Sequence, residues 1–324
     1  MVGGRGETHA AASRQAVLHA DDFGMNSAVT DGILQGFQQG LLTSTSLLAN
    51  SPDADRALRE WQRLEEDRAG RRLPSMAKRR RLHDPDRPFD LGIHLNLTQG
   101  RPLTPHYPTE LLDADGRFPS IFTLFGRLQL GGRRFAAAVL EELSCQVQFM
   151  LDRDRPPTHL NGHQYIELFP VVGPAVESLL AKYKIAATRV ALDRAWLPAI
   201  LWREVNLIQW LVAGVEMRYA RRFRRRIARL GVSFPDAYFG ALTAGRTDLV
   251  KLHAFLGAGS RFRISEIALH PGCRGIGPAR DDHDGWYDPL AEGRFKELQL
   301  LVSEDFAAYL EQFDFRLGRI AAAS

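Results

Sequence analysis

The sequence has little cysteine, and its acidic and basic residues almost balance. Two cysteines in 324 residues, Cys145 and Cys273, are too few for a disulfide framework or a zinc–thiolate site, and they are typical of a reducing compartment. A net charge of +4, from 42 basic and 38 acidic residues, does not indicate nucleic-acid binding. With 45% hydrophobic residues, the chain can bury the core of one barrel-type domain or of two smaller domains.

The chain also lacks an apolar segment near its start. Residues 1–15, MVGGRGETHAAASRQ, do not resemble a secretory signal, and we expect residues 1–14 to form a disordered tail before one domain of residues 15–324. Residues 68–88 are basic, contain proline and follow no helical or strand period, so we expect a surface insertion. Its KRRR run at 78–81 is either a solvated loop or a contact for an acidic partner.

Short apolar runs alternate with amphipathic segments along the rest of the chain. This alternation is typical of parallel βα units and predicts an α/β fold. We expect strands at 16–20, 43–50, 90–97, 186–192 and 264–272, and a strand-to-loop segment at 158–166. We expect an exposed helix at 52–67 and further helices at 27–40, 135–153, 170–183 and 295–313.

Carboxylate and imidazole side chains follow several of the predicted strands. Asp21 and Asp22 follow the first, and His94, His163 and His270 lie near the ends of later ones. In a βα barrel the carboxyl ends of the strands meet at one mouth, so these residues could converge there. A set of one carboxylate and two imidazoles with an open position for water suits metal-assisted hydrolysis, with a second carboxylate as the base.

Each of these residues also has a purely structural interpretation. An adjacent aspartate pair such as Asp21 and Asp22 often caps a helix or forms a turn. His94 and His270, which lie in apolar runs, could be strand histidines that hydrogen-bond inside the core. The spacing alone therefore leaves both interpretations open, and the residues need a further argument.

Four sequence motifs provide that argument, because they resemble the YdjC-like carbohydrate deacetylases in the same order. HADDFGMNSAVTDGILQGFQQGLLTSTSLLAN (19–50) resembles the opening of that family. The later matches are LGIHLNLTQGRPL (91–103), PTHLNGHQYIELFP (157–170) and SEIALHPG (265–272). The family includes chitooligosaccharide deacetylases and the deacetylase branch of hopanoid biosynthesis.

The resemblance implies an irregular TIM-like (β/α) barrel that removes acetate from an N-acetylated amino sugar, in an oligosaccharide or a lipid-linked glycan. It implies one divalent metal ion, magnesium or zinc, with Asp22, His94 and His163 as ligands. Asp21 would be the general base, and His270 would be the general acid that protonates the leaving amine.

Four further residues are candidates for substrate contact or for support of the site. Arg189 resembles a family arginine that fixes the general base or binds substrate, although a surface ion pair is the alternative. Glu266 precedes His270 by four residues and would share its strand face, either to orient the imidazole or in a structural ion pair. Tyr165 and Glu167 stand where the family commonly has histidine, so we expect a different specificity or weaker metal binding.

A helical insertion at about 196–231 combines apolar and basic segments. Residues 196–217 are rich in Trp, Leu and Ile, and residues 218–230 contain seven arginines. Arg203 and Glu216 argue against a membrane-spanning helix. The segment is either a peripheral contact with an anionic membrane surface or a core or subunit-contact helix followed by a solvated basic helix.

Two other functions stay open beside the deacetylase. The same ligands could serve a metal-dependent hydrolase of another bond, such as a phosphoester. The second function is that of a catalytically silent barrel that binds sugar or a membrane. We expect a cytoplasmic protein, at most peripheral to the inner face of a membrane, with no nucleic-acid partner, and the resemblance suggests a homodimer.

Overall fold

The computed structural model describes residues 14–70, 88–192, 207–274 and 286–320 of the chain. Within these residues, eight strands join in one parallel sheet. The strands are β1 (Arg14–Phe23), β2 (Ser44–Leu47), β3 (Asp90–Leu95), β4 (His159–Gly162), β5 (Ala187–Thr188), β6 (Ala237–Phe239), β7 (Ile264–Leu269) and β8 (Phe315–Leu317). The helices are α1 (Ser27–Gln38), α2 (Ala54–Ala69), α3 (Ile121–Gly131), α4 (Ala136–Leu151), α5 (Val172–Tyr183), α6 (Leu207–Arg229), α7 (Leu249–Gly259), α8 (Ala291–Leu301) and α9 (Glu304–Gln312).

The sheet curls into a half-barrel with two open edges. Its strand order is β5-β4-β3-β2-β1-β7-β6, and β8 also pairs with the start of β1. Ala187 of β5 makes one isolated bridge with Ser233, but no ladder joins β5 to β6 in the described part of the chain. With two and three residues, these strands are too short to close the barrel. The α/β fold is thus confirmed, and the expected TIM-like barrel is open rather than closed.

Strand β1 occupies the centre of the sheet and is buried along most of its length. It pairs with β2 on one side and β7 on the other, and helices α1 and α2 cover one face. The Trp61 ring of α2 packs edge-on against Phe23 and Phe37, at 6.0 Å and 5.0 Å between centroids. The segment at 52–67 is therefore a helix as predicted, but one of its faces is buried rather than exposed.

Helix α1 begins just after the aspartate pair without using either aspartate as a cap. The Asn26 side chain accepts the backbone N–H of Val29 at 3.0 Å and forms the N-cap. The capping interpretation of Asp21 and Asp22 is therefore wrong. Gly32 of α1 faces the backbone of Gly272, where a β-carbon would not fit. This close approach sets α1 against the segment that follows β7.

Several predicted elements differ from the observed ones. The predicted closing helix at 295–313 is wrong as a single helix, because it divides into α8 and α9 at Ser303, whose hydroxyl caps α9. The predicted strand at 186–192 shrinks to the two residues of β5. Helices α3 and α7 and strands β6 and β8 were not predicted from the sequence. Most of the expected insertion at 68–88 lies outside the described residues, which resume at 88.

The arginine-rich segment forms the second half of helix α6. Of the apolar part expected at 196–217, residues 196–206 lie outside the described residues, and residues 207–217 form the first half of α6. Among the helices that the structure describes, none has both the length and the apolar character needed to cross a membrane.

Candidate active site

The five residues expected at the mouth come together at the carboxyl ends of the strands. Asp21 and Asp22 lie near the end of β1, His94 lies in β3, and His163 and His270 directly follow β4 and β7. The Asp22 Oδ1 atom lies 3.0 Å from His163 Nδ1 and 3.4 Å from His94 Nε2. The Asp21 Oδ2 atom lies 3.8 Å from His270 Nε2. All five side chains are buried or nearly so.

A local break in β1 lets the two adjacent carboxylates serve different partners. Asp22 has a φ of 70°, in the left-handed region, and the pairing of β1 with β2 shifts register between Ala20 and Phe23. Aspartate tolerates this conformation better than most residues, although it still costs about 1–2 kcal/mol. Asp21 consequently faces Arg189, whereas Asp22 faces the two histidines.

The side chains of Asp22, His94 and His163 form a group that fits a divalent metal ion. Each offers one ligand atom, and these atoms lie within 4.8 Å of one another. Asp22 Oδ1 is buried, and although both imidazoles are close to it, neither makes a well-aligned hydrogen bond to it. Leaving a buried carboxylate oxygen without a partner is costly, and a cation would satisfy it. One carboxylate with two imidazoles is a donor set that suits zinc or a similar ion.

Arg294, which the sequence did not indicate, holds the other oxygen of Asp22. Its Nη2 atom donates to Asp22 Oδ2 at 2.7 Å, and its Nε atom donates to both carboxylate oxygens of Asp288, at 2.9 Å and 2.8 Å. Burial alone would raise the pKa of Asp22, but Arg294 and then His163 outweigh it and hold the pKa well below its usual value. Asp22 is therefore a carboxylate whose Oδ1 stays available as a ligand.

Asp21 is held by charge-assisted hydrogen bonds to Arg189. The Nη1 and Nη2 atoms of Arg189 donate to Asp21 Oδ2 and Oδ1, each at 2.8 Å. Burial would raise the pKa of Asp21, but Arg189 and then His94 hold it well below its ordinary value. Asp21 is therefore ionised at neutral pH.

Glu266 supports Asp21 indirectly, through Arg189. Arg189 Nε donates to Glu266 Oε1 at 2.7 Å, and both side chains are fully buried. The backbone N–H of His270 donates to Glu297 Oε2 at 2.6 Å. In the described residues, therefore, Glu266 pairs with the arginine, and Glu297 anchors the segment that carries His270.

Asn161 connects the metal group with Asp21, a link that the sequence analysis missed. Its Oδ1 atom lies 2.9 Å from His94 Nδ1, and its Nδ2 atom donates to Asp21 Oδ1 at 3.0 Å. The amide oxygen can only accept, so it fixes the proton of His94 on Nδ1 and leaves Nε2 free to bind a metal. A usable signal was present in the sequence, because Asn161 precedes His163 by two residues and lies near the end of the predicted strand.

We expect Asn161→Leu to weaken metal binding about 10- to 100-fold, because His94 loses the partner that fixes its orientation. Isothermal titration with zinc would measure the affinity. Asn161→Asp is the informative companion variant, since it can still accept from His94 but repels Asp21. We expect this variant to bind metal better than Asn161→Leu; equal affinity in both variants and the parent would contradict the role.

In an extended chain, Tyr165 and Glu167 would share a face with His163. In the structure they do not. Gln164 and Tyr165 have φ values of 54° and 60°, so the segment His163–Leu168 coils instead of extending. The Tyr165 hydroxyl lies 3.0 Å from that of Tyr238. Glu167 is fully buried, and within the described residues neither carboxylate oxygen has a hydrogen-bond partner.

Burial raises the pKa of Glu167 from an ordinary 4.5 to about 8. The folded protein thus keeps a proton on Glu167 that the unfolded chain releases, and this group weakens stability as pH rises from about 4.5 to about 8. We expect Glu167→Gln to gain stability over the parent across that window, by at most about 1.4 kcal/mol per pH unit. Urea unfolding at several pH values measures it. The exposed Glu311→Gln is the control, and parallel pH curves for parent and Glu167→Gln would refute the assignment.

Comparisons with known proteins add to this geometry. The profile of the YdjC-like protein family matches residues 15–312. A carbohydrate deacetylase of Mus musculus is 29% identical over 327 aligned residues, which cover 94% of this chain and 93% of that protein. A carbohydrate deacetylase of Listeria monocytogenes serotype 4b (strain CLIP80459) is 31% identical and covers 91% of this chain and 94% of its own.

Among solved structures, the fold resembles that of a protein from Enterococcus faecalis V583 named as a candidate for cellobiose-phosphate cleavage. The TM-score is 0.67, and the match covers 95% of this chain and 97% of that chain. The sequence identity is 18%, so this similarity concerns the fold.

Proposed function

Because the chain belongs to the YdjC-like protein family, we propose that it is a carbohydrate deacetylase that hydrolyses the amide of an N-acetylated amino sugar and releases acetate. The observation that carries the proposal is the buried group of Asp22, His94 and His163 directly beside Asp21 and His270. This arrangement offers a ligand set, a carboxylate and an imidazole at one place, as amide hydrolysis requires.

One divalent metal ion, magnesium or zinc, would be held by Asp22, His94 and His163. When bound, it would polarise the acetamide carbonyl and a water molecule. The buried Oδ1 atom of Asp22 without a partner, and the fixed Nε2 atom of His94, are the two features that fit such an ion.

The protons are handled by Asp21 and His270 in this proposal. Arg189 keeps Asp21 ionised, and the Oδ2 atom of Asp21 faces His270 Nε2 at 3.8 Å. Asp21 accepts the proton of the attacking water as the new carbon–oxygen bond forms. His270 donates a proton to the sugar nitrogen as the carbon–nitrogen bond breaks, so that acetate and a free amine leave.

Tyr165 and Glu167 take different parts in the proposal. Tyr165 is partly exposed near the mouth, where its ring and hydroxyl would contact the sugar in place of a family histidine. Glu167 has no exposed surface, so it would act on the site through packing rather than by contact with the substrate. The sugar preference of this chain should therefore differ from that of relatives with histidine at both positions.

Acetate release from a panel of N-acetylated sugars tests the proposal. The panel contains N-acetylglucosamine, diacetylchitobiose and a lipid-linked N-acetyl sugar, with sugar phosphates alongside. We expect acetate and free amine in equal amounts from at least one acetylated sugar, and loss of both in Asp21→Asn and His270→Gln. Phosphate release from a sugar phosphate, with no acetate from any substrate, would overturn the proposal in favour of a phosphoesterase.

We also propose a cytoplasmic location without a nucleic-acid partner, which suits two cysteines and a nearly balanced charge. A homodimer remains a prediction that light scattering of the purified chain would check. A mass of one chain, 36.3 kDa, at all concentrations would contradict it.

A further inference from the structure

Helix α6 presents a row of exposed arginines on one side and packs against the protein on the other. Two of its arginines turn toward the protein, since the Arg224 guanidinium lies 5.4 Å from the Phe234 ring centroid and Arg226 forms an ion pair with Glu177. Five arginines are exposed, and among the described residues none of them pairs with a carboxylate: Arg218, Arg221, Arg222, Arg225 and Arg229. Four of these follow the spacing i, i+4, i+7, i+11, which places them on one helical face.

Exposed apolar side chains lie on α6 itself and on α3, the helix that contacts it. Phe122 and Leu130 of α3 are 74% and 93% exposed, and Val215 of α6 is 52% exposed. Helix α3 contacts α6 through the rings of Phe125 and Tyr219, whose centroids are 6.4 Å apart. Phe122 precedes Phe125 by three residues and Val215 precedes Tyr219 by four. Both exposed side chains are therefore about one helical turn from the contact between the helices.

This surface adjoins the candidate active site. The Phe125 ring also packs against Phe169, with centroids 5.0 Å apart. Phe169 directly follows the coiled segment His163–Leu168, which begins with a metal-ligand candidate. We call the exposed arginines of α6, together with Phe122, Leu130 and Val215, the basic apolar face. Its part near Tyr219 adjoins the mouth through Phe125 and Phe169, whereas its part near Arg229 leads to Ser233, which bridges Ala187 at the start of β5.

We propose that the basic apolar face binds the surface of an anionic lipid bilayer. Guanidinium groups would pair with lipid phosphates, each contributing about 1 kcal/mol near such a surface. Phe122 and Leu130 would enter the boundary between headgroups and acyl chains, as the apolar side of an interfacial helix does. A nucleic acid would use the arginines but would leave these apolar side chains in water, so the combination favours a membrane.

The consequence for specificity rests on the proposed deacetylase function. Because Tyr219 and Phe125 connect this face to the segment after His163, the mouth would lie beside the bilayer and would receive an N-acetylated sugar carried by a membrane lipid. The membrane contact itself does not depend on catalysis, because it is built from side chains that lie outside the metal group.

Flotation of the full chain with lipid vesicles tests the contact. Vesicles of phosphatidylcholine are compared with vesicles that also contain about 30 mol% phosphatidylglycerol, which supplies the negative surface charge. We expect binding to the anionic vesicles only, weakened by about 0.5 M salt because screening reduces the attraction. Arg218→Ala/Arg222→Ala/Arg225→Ala should bind at least about tenfold more weakly, since three such contacts are lost. Phe122→Ser/Leu130→Ser should also bind more weakly.

A matched control makes the same charge change on residues that belong to neither α3 nor α6. Arg261, Arg263 and Arg316 are exposed and lie near the starts of β7 and β8, so their triple alanine variant should bind vesicles as the parent does. No binding to anionic vesicles, equal loss in both triple variants, or capture of RNA without vesicle binding would overturn the proposal. Binding is measured on chelator-treated protein without turnover. If the protein does not bind vesicles, the result of the acetate assay is still valid. If the protein releases no acetate, the result of the vesicle assay is still valid.

Discussion

Replacing His163 with alanine should abolish stoichiometric metal binding and lower acetate release about 1,000-fold or more. The variant leaves two of the three ligand candidates, and Asp22 Oδ1 loses its neighbour at 3.0 Å. Metal content after dialysis, measured by mass spectrometry beside acetate release, gives both values on the same sample. His106→Ala, which changes an exposed histidine outside the metal group, should retain metal and activity.

Asp22→Asn separates the charge of the ligand from the shape of the strand. Asparagine tolerates the left-handed backbone that Asp22 adopts at a φ of 70°, so the local fold should persist. The amide is a weaker ligand than a carboxylate, and we expect a large loss of metal affinity with little loss of thermal stability. Full metal occupancy in His163→Ala would contradict the assigned ligands, because other residues would then hold the ion.

Replacing Arg189 with methionine should destabilise the protein by about 3–5 kcal/mol. Arg189 is fully buried and pairs with Asp21 and Glu266, so its removal leaves two buried carboxylates without their cation. Arg189 is among the charges that hold the pKa of Asp21 down, so in the variant this pKa should rise. The loss of stability should consequently be larger at pH 8 than at pH 5, since mild acid can neutralise the carboxylates.

Urea unfolding at the two pH values measures this effect, with the exposed Arg59→Met as a control for the loss of one positive charge. Adding Glu266→Gln to Arg189→Met removes one of the two uncompensated charges and should recover part of the stability. An Arg189→Met variant within about 1 kcal/mol of the parent would contradict the buried network, since that size of effect is typical of a surface ion pair.

The sequence predicted the βα alternation and the residues of the mouth because both depend on local patterns. Apolar runs mark the parallel strands, and the four ordered motifs carry Asp22, His94 and His163. The pattern could not show how far the sheet closes, because this depends on two edge strands of only two and three residues. The sequence pattern predicted that the aspartates follow the first strand, whereas β1 includes both of them.

The rest of the site depends on long-range contacts and on backbone conformation. Arg294 reaches Asp22 from a helix 272 residues later in the chain and lies in no motif. The alternation expected for residues 163, 165 and 167 is wrong because Gln164 and Tyr165 adopt left-handed conformations. Neither feature has a signal in the order of residue types, since both are decided by packing around the mouth.

The most direct test of the account is acetate release by chelator-treated protein as zinc or magnesium is returned to it. The account predicts no release without metal, and a rise that levels off at about one equivalent per chain because one three-ligand group holds the ion. The variant His163→Ala, which lacks one of the three ligand candidates, should stay inactive throughout the titration. Acetate release that survives chelation and does not respond to added metal would contradict the central claim.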